Sequence, residues 1–174
     1  MQCTGLTDRA RLRRAATLSV VALVLLPAAS SASSQGGAID PCLVGAWTEL
    51  GERDQFGFDG MLVTLEGGAG RELTFLAHGR ARASYASAQP LTGSLTGEPL
   101  QIVVTGGVIY KTRTLRDKLT FVAANYTGSS VDATLAGVPI ALGPQRLPAP
   151  ETFRCSATGL IERGSGFSAR FVRG

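Results

Sequence analysis

Apolar and polar residues alternate along short stretches of this chain, and no long stretch beyond residue 32 has the spacing of an amphipathic helix. Met61, Val63 and Leu65, for example, share one side of their stretch, while Thr64 and Glu66 share the other. A period of two is typical of a half-buried strand. Such stretches recur roughly every eight to twelve residues, so we predict about ten short strands joined by tight turns.

The candidate strands share this alternation and a bounding glycine, proline or small polar residue. They are residues 43–50, 61–66, 73–77, 80–85, 100–105, 108–114, 118–126, 131–136, 138–142, 152–156, 160–163 and 167–172. The spaces between them leave no room for crossover helices, which indicates sequential antiparallel pairing.

Glycine-containing segments predict the turns. Gly106 and Gly107 separate two strongly alternating stretches, which is the clearest hairpin signal in the chain. We expect further turns at residues 67–70, 78–79, 116–117, 128–130 and 137, a loop at 53–60, and a proline-rich connection outside the sheet at 143–150.

The order of these elements predicts an all-β fold, with a closed antiparallel up-and-down β-barrel preferred over a sandwich. Closure removes exposed sheet edges. It also places the two ends of the sheet side by side, where a bond between Cys42 and Cys155 would join them.

The first 32 residues predict a cleaved signal peptide. Four arginines precede an apolar run, Ala15 to Leu26, which is followed by Pro27 and small residues. The run is about a dozen residues long, whereas a permanent membrane span needs roughly 20. We therefore expect residues 33–38 to be a flexible lead-in, residues 39–174 to form the barrel domain, and the protein to be secreted or associated with the cell wall, with no stable membrane insertion after cleavage.

Removal of the signal peptide changes the charge of the chain. The whole sequence has 17 Lys and Arg and 13 Asp and Glu, for a net charge of +4. Residues 1–32 contain four of the basic residues and one of the acidic ones, so 13 and 12 remain and the net charge is +1. This balance does not predict binding to nucleic acid or to a membrane surface.

Two cysteines remain after cleavage, Cys42 and Cys155. In an oxidising compartment they predict a disulfide, which closes a long loop and stabilises the fold by at most about 4 to 5 kcal/mol. The alternatives are two free thiols or a metal pair. His78 is the only histidine, so a zinc site of the usual four ligands is not expected.

The residues available for catalysis are few. His78 precedes Gly79 at a predicted turn, no Gly-x-Ser-x-Gly element occurs, and Asp54 and Asp59 flank a glycine-containing loop where carboxylates are usually solvated. We therefore expect a protein that is not an enzyme and that holds no metal or cofactor.

Aromatic residues are the remaining functional signal. They could line a cavity for a small apolar or amphipathic ligand, or they could simply fill the core. Small residues at positions expected to face inward, Ala77, Ala81, Ala83, Ala123 and Ala133, favour a cavity. The ligand-pocket candidates are Trp47, Phe56, Phe58, Phe75, Tyr85, Tyr110, Phe121 and Tyr126, and Phe153 is a further aromatic of the same kind.

The segment Asp40-Pro41-Cys42-Leu43-Val44-Gly45-Ala46-Trp47, with Thr152-Phe153-Arg154-Cys155 much later, resembles secreted lipocalin-like proteins of actinobacteria. Gly45-Ala46-Trp47 resembles the Gly-x-Trp signature of lipocalins and the wider calycin superfamily. The excess of arginine over lysine is typical of a genome rich in GC, as in actinobacteria.

The resemblance implies that Trp47 plugs the closed end of the barrel and that a basic residue packs over it. Arg163, Arg170 and Arg173 are the candidates for that residue. The Thr-Asp-Tyr-like element of lipocalins is absent, and the nearest segment is Ala124-Asn125-Tyr126-Thr127.

These observations predict a secreted lipocalin-like barrel that binds a small hydrophobic or amphipathic ligand without transforming it. The alternative is a cell-envelope interaction module with a packed barrel and no internal ligand. Such a module would present loops such as residues 55–59 and 142–151 to a protein or polysaccharide.

Overall fold

A computed structural model describes residues 38–58, 60–126 and 128–174. The predicted signal peptide and all but the end of the lead-in lie outside the described residues, as does Asp59. Within the described ranges the regular structure is entirely β-strand, and no helix has the length and hydropathy needed to cross a membrane. The strands are β1 (Gly45–Phe58), β2 (Met61–Gly67), β3 (Glu72–Leu76), β4 (Arg80–Ser84), β5 (Leu91–Leu95), β6 (Glu98–Thr105), β7 (Gly107–Leu115), β8 (Lys118–Asn125), β9 (Ser130–Leu135), β10 (Val138–Ile140), β11 (Glu151–Cys155), β12 (Gly159–Arg163) and β13 (Phe167–Arg173).

Eight of these strands form a closed antiparallel barrel. Their order around the ring is β1, β13, β12, β11, β8, β7, β4 and β3, and β3 pairs again with β1. The predicted closed barrel is therefore confirmed.

The remaining strands extend one end of the barrel. The second half of β1 pairs with β2, and β2, β5, β6, β9 and β10 continue from it as an open sheet, which we call the upper sheet. Four strands of the upper sheet are joined to a barrel strand by a short link, for example β2 to β3 and β6 to β7, whereas β10 is joined to β11 by residues 141–150. The molecule is thus a meander of eight long strands, most of them bent where the barrel meets the upper sheet.

The predicted hairpin at Gly106 and Gly107 is wrong. The strands on either side, β6 and β7, do not pair with each other, because β6 pairs with β5 and β9 while β7 pairs with β4 and β8. Gly106 instead bends one long strand: it has a φ of +75°, and a Cβ there would meet the backbone carbonyl of Gly128. The segments 67–70 and 128–130 are bends of the same kind, not hairpin turns.

The true hairpins fall elsewhere. The turns at 78–79, 116–117 and 137 are confirmed, and a turn at Thr96 and Gly97 joins β5 to β6. Residues 53–58, predicted as a loop, belong to β1, where Phe58 pairs with Met61. The connection at 143–150 does lie outside the strands.

Two separate clusters of buried side chains support the two parts of the fold. The barrel encloses Trp47, Phe75, Phe153, Leu160 and Phe171 among others. Val63, Leu65, Leu95, Leu100 and Ile102 lie on one face of the upper sheet and pack together. Because alternate residues of a strand share a face, one apolar face per strand is enough to build both clusters.

The end of the barrel away from the upper sheet is closed by the segment before β1. The Nε1 of Trp47 donates a hydrogen bond of 2.7 Å to the carbonyl of Leu43, which is fully buried. A disulfide joins Cys42 to Cys155 at the end of β11, with a Cα–Cα distance of 6.1 Å. The segment is thereby fixed across the barrel end.

Arg173 is the basic residue that covers Trp47. Its guanidinium carbon lies 4.3 Å from the ring centroid, and its two terminal nitrogens donate to the carbonyls of Val44 and Cys42 at 3.0 and 2.8 Å. Gly45 is required beside it, because a Cβ there would lie 2.7 Å from Nη1 of Arg173 and the φ of Gly45 is +133°.

Candidate functional site

The interior of the barrel contains a cavity of about 340 Å³ at the end opposite Trp47. All eight barrel strands contribute to its walls, and its mouth lies beside the proline-rich connection and the β12–β13 turn. The aromatic part of the wall consists of Tyr85, Tyr110, Phe121 and Phe167. The charged part consists of Glu52, Asp54, Arg71, Glu151 and Glu162.

A bulge in β1 explains why two of the glutamates point inward. The pairing of β1 with β13 shifts register between Glu49 and Gly51. In a regular strand, residues three apart face opposite sides of the sheet, but an extra residue restores them to the same side. Glu49 is therefore buried in the barrel and Glu52 lines the cavity, while Leu50 between them is 55% exposed.

The register across β12, β13 and β1 brings two carboxyl groups to one level of the barrel. Ala169 on β13 pairs with Glu162 on one side and with Glu52 on the other. Neighbouring strands lie about 4.8 Å apart. Glu52 and Glu162 therefore flank Ala169 from the two strands beside β13. The methyl group of Ala169 fills little of the space between them.

Arg71 lies in the link between β2 and β3 and contacts two carboxyl groups of β1. Its Nε lies 2.6 Å from Oε2 of Glu49, and its Nη2 lies 3.1 Å from Oε2 of Glu52. Arg71 and Glu49 are within ion-pair distance, but the geometry of their contact is not that of a hydrogen bond. Burial opposes the charge on Arg71, but Glu52 and Glu49 raise its pKa well above the usual value, so it remains a cation.

Glu49 experiences the opposite balance. Burial raises the pKa of Glu49 above its usual value, although Arg71 acts to lower it. Arg71 thus contacts the carboxyl groups of both Glu49 and Glu52.

Glu151 and Glu162 have no such partner. They are 8% and 2% exposed, and Oε2 of Glu151 and Oε1 of Glu162 accept no hydrogen bond from any described residue. Phe153 pairs with Glu162 across β11 and β12, and Glu151 lies two residues before Phe153 on the same face. Diagonal neighbours of this kind have Cα atoms roughly 7 Å apart, so the two carboxyl groups share one part of the cavity.

The surroundings of these carboxyl groups favour their protonated, uncharged form. Burial, with the charge of Glu162, raises the pKa of Glu151 to about 8. Burial raises the pKa of Glu162 to about 7, although Arg71 acts to lower it. Burial also raises the pKa of Asp54. The empty cavity therefore binds protons at a pH where ordinary carboxyl groups have lost them.

The aromatic wall is compact. The rings of Tyr110 and Phe121 meet edge to face with centroids 4.9 Å apart, and burial raises the pKa of Tyr110, so its hydroxyl stays protonated. The guanidinium carbon of Arg71 lies 6.0 Å from the ring of Tyr85.

The structure brings three of the eight predicted pocket residues together at the cavity: Tyr85, Tyr110 and Phe121. The other five lie elsewhere. Trp47 and Phe75 are buried in the barrel core, Phe56 and Phe58 pack against the upper-sheet cluster, and Tyr126 follows β8 and donates a hydrogen bond of 2.8 Å to the carbonyl of Arg146.

Other candidate residues lie away from the cavity. His78 is exposed at the β3–β4 turn, at the opposite end of the barrel. Ala81, Ala83 and Ala133 are buried as expected, but Ala77 and Ala123 are exposed, which corrects their predicted inward orientation.

The charged wall of the cavity was not predicted from the sequence. The signal was present in the alternation, since Glu151 shares a face with Phe153, and Glu162 shares one with Leu160.

The fold and this cavity define an antiparallel up-and-down barrel with an internal chamber lined by both aromatic and acidic side chains. No known protein family, curated protein or solved structure is significantly similar to this chain. Its function is therefore argued from the cavity itself.

Proposed function

We propose that this protein is a secreted or cell-wall-associated, lipocalin-like barrel that binds a small amphipathic ligand without transforming it. The cavity of about 340 Å³ carries the proposal. Sites for small molecules are typically concave, about 300 to 1,000 Å³ in volume, and mostly apolar with a few placed polar groups. A well-packed interior has few voids larger than a water molecule, so a chamber of this size is not a normal by-product of folding.

Two further features support the proposal. The packing of Arg173 over Trp47 at the closed end is the arrangement that the resemblance to lipocalins implies. A disulfide is typical of proteins that fold in an oxidising compartment, which supports an extracellular location.

A binding role is favoured over catalysis by the chemistry of the wall. Among the described residues, the only histidine is exposed at the far end of the barrel. Ser165, the serine that lines the cavity, lies in an exposed turn at the mouth, where no histidine is placed to activate it.

A packed barrel that only presents loops is less well supported. The cavity argues against a solid interior, and residues 55–58 of one proposed loop are part of β1.

Native mass spectrometry of the protein purified from its own host tests the proposal. We expect a non-covalent adduct that is released on unfolding. In Ala83→Leu, whose larger side chain enters the cavity, we expect the adduct to be lost, whereas Ala123→Leu on the barrel exterior should retain it. Both variants should keep the β-rich circular dichroism spectrum. An adduct that persists unchanged in folded Ala83→Leu would refute the internal site.

A further inference from the structure

The acidic and basic groups that line the cavity are unequal in number. Four carboxyl groups line it, from Glu52, Asp54, Glu151 and Glu162, whereas Arg71 is the only cation on the described wall. Arg71 is already in contact with Glu52 and with Glu49, which is itself buried. Three carboxyl groups, those of Asp54, Glu151 and Glu162, therefore have no ion-pair partner among the described residues.

Two of these groups are also short of hydrogen bonds. Glu151 and Glu162 both line the cavity and are each more than nine-tenths buried, and each has one fully enclosed oxygen without a hydrogen-bond partner. Buried polar atoms in native proteins nearly always have a partner, and leaving one without a partner is unfavourable. A positive charge held within the cavity would instead stabilise the ionised forms of these two carboxyl groups.

The rest of the wall is suited to a positive charge with an apolar body. Tyr85, Tyr110, Phe121 and Phe167 provide aromatic surface next to the carboxyl groups. The faces of aromatic rings attract cations, and clusters of such rings are the usual recognition device for ammonium groups.

We propose that the cavity binds a small organic cation, with its ammonium group beside Glu151 and Glu162 and its apolar body against the aromatic wall. This inference rests on the proposed ligand-binding function and specifies the chemical class of the ligand. It also distinguishes this barrel from one that selects ligands by hydrophobicity alone.

Binding of such a cation must depend on pH. Glu151 and Glu162, with pKa values of about 8 and 7, are largely protonated in the empty cavity at pH 6 and ionised at pH 9. A cation favours their ionised forms, so its binding lowers both pKa values and releases protons near pH 7. The other titratable or charged groups that face them are Glu52, Asp54, Arg71, Tyr85 and Tyr110.

Calorimetric titration with two probes of the same shape tests the inference. Benzyltrimethylammonium carries a permanent charge, and neopentylbenzene has carbon in place of its nitrogen. We expect the cation to bind at least about tenfold more tightly than the uncharged probe at pH 8.5, and its affinity to fall at least about tenfold at pH 5.5. Comparison of two buffers with different ionisation heats should show proton release at pH 7 in the unmodified protein.

Variants assign the preference to the two glutamates. The double variant Glu151→Gln and Glu162→Gln should lose the tenfold preference and the proton release. Glu72→Gln, which removes an exposed carboxyl group on β3, should retain both. A folded double variant that keeps the preference would overturn the assignment, and so would the absence of proton release in the unmodified protein.

The two proposals fail in different ways. If the uncharged probe binds as tightly as the cation, the cation assignment is wrong and the ligand-binding function stands. If neither probe binds but protein from the host carries a ligand, only the assignment fails. If neither probe binds and no ligand accompanies the protein, both proposals are wrong.

Discussion

The buried carboxyl groups make the stability of this barrel depend on pH. In the unfolded chain, Glu162 has the ordinary pKa of 4.5, whereas in the folded protein its pKa is about 7. Between these values the folded state holds a proton that the unfolded state has lost, so this contribution to stability falls as the pH rises from about 4.5 to 7 and then levels off. Glu151, with a folded pKa of about 8, contributes in the same direction over a slightly wider range.

Glu162→Gln should therefore stabilise the empty protein at alkaline pH. We expect the free energy of unfolding to increase by about 1 to 3 kcal/mol at pH 8.5 and to change little at pH 5, because only the ionised glutamate is penalised by burial. Urea unfolding at the two pH values measures this difference. Glu72→Gln is the exposed control and should stay within about 0.5 kcal/mol at both. Equal effects of Glu162→Gln at the two pH values would contradict the explanation.

Arg173 at the closed end supplies a second prediction. Its guanidinium group contacts the face of Trp47 and donates to two backbone carbonyls, which a lysine ammonium cannot reproduce in the same plane. We expect Arg173→Ala to lower the free energy of unfolding by about 2 kcal/mol and Arg173→Lys by about 1 kcal/mol.

Thermal and chemical unfolding measure both values. Arg170→Ala, on the outward face of the same strand, is the matched control and should be nearly neutral. If Arg170→Ala and Arg173→Ala lower stability equally, the contact with Trp47 has no special role.

At the scale of the elements, the bends between barrel and upper sheet are the most constrained positions. Gly106 and Gly137 both have positive φ values, +75° and +79°, but only at Gly106 would a Cβ meet another backbone. We expect Gly137→Ala to cost about 1 kcal/mol for its backbone conformation alone, and Gly106→Ala to cost about 3 kcal/mol or more because β6, β7 and the Gly128 segment must also separate. Chemical unfolding of the two variants tests this, and equal losses would show that the close approach is unimportant.

The same bends explain where the sequence analysis succeeded and where it failed. Alternation predicted most strands correctly, because one face of each strand must be apolar whether it belongs to the barrel or to the upper sheet. The glycines at 67–70, 106–107 and 128–130 were read as turns, since a glycine pair between two alternating stretches fits a hairpin and a bend equally well. The choice depends on which strands pair, and that is a property of the whole sheet.

The cavity was harder to predict than the fold. Its aromatic wall follows from composition and alternation, and Tyr85, Tyr110 and Phe121 were identified in this way. Its acidic wall depends on a bulge that turns Glu49 and Glu52 to the same side, and on Arg71, which lies outside every strand. Neither the bulge nor the position of Arg71 has a periodicity that a sequence pattern could reveal, whereas Glu151 and Glu162 do follow the alternation of β11 and β12.

At the scale of the whole molecule, the disulfide links the segment before β1 to β11 across 113 residues. A loop of that length contributes about 4 to 5 kcal/mol in the chain-entropy model. We expect reduction, or Cys42→Ser with Cys155→Ser, to lower the free energy of unfolding by up to this amount while leaving the barrel folded at low temperature. Denaturant unfolding of the oxidised and reduced protein measures the loss, and peptide mapping that finds both thiols free in exported material would contradict the bond.

The pairing of β1 with β13 has a consequence for how the protein folds during its synthesis. Trp47 pairs with Arg173, so β1 is synthesised more than a hundred residues before β13, one of the strands with which it pairs. Contacts so distant in sequence form slowly, and until they form, β1 presents unsatisfied backbone groups to any neighbouring chain. The nascent protein is therefore most vulnerable to aggregation and proteolysis before its ring has closed.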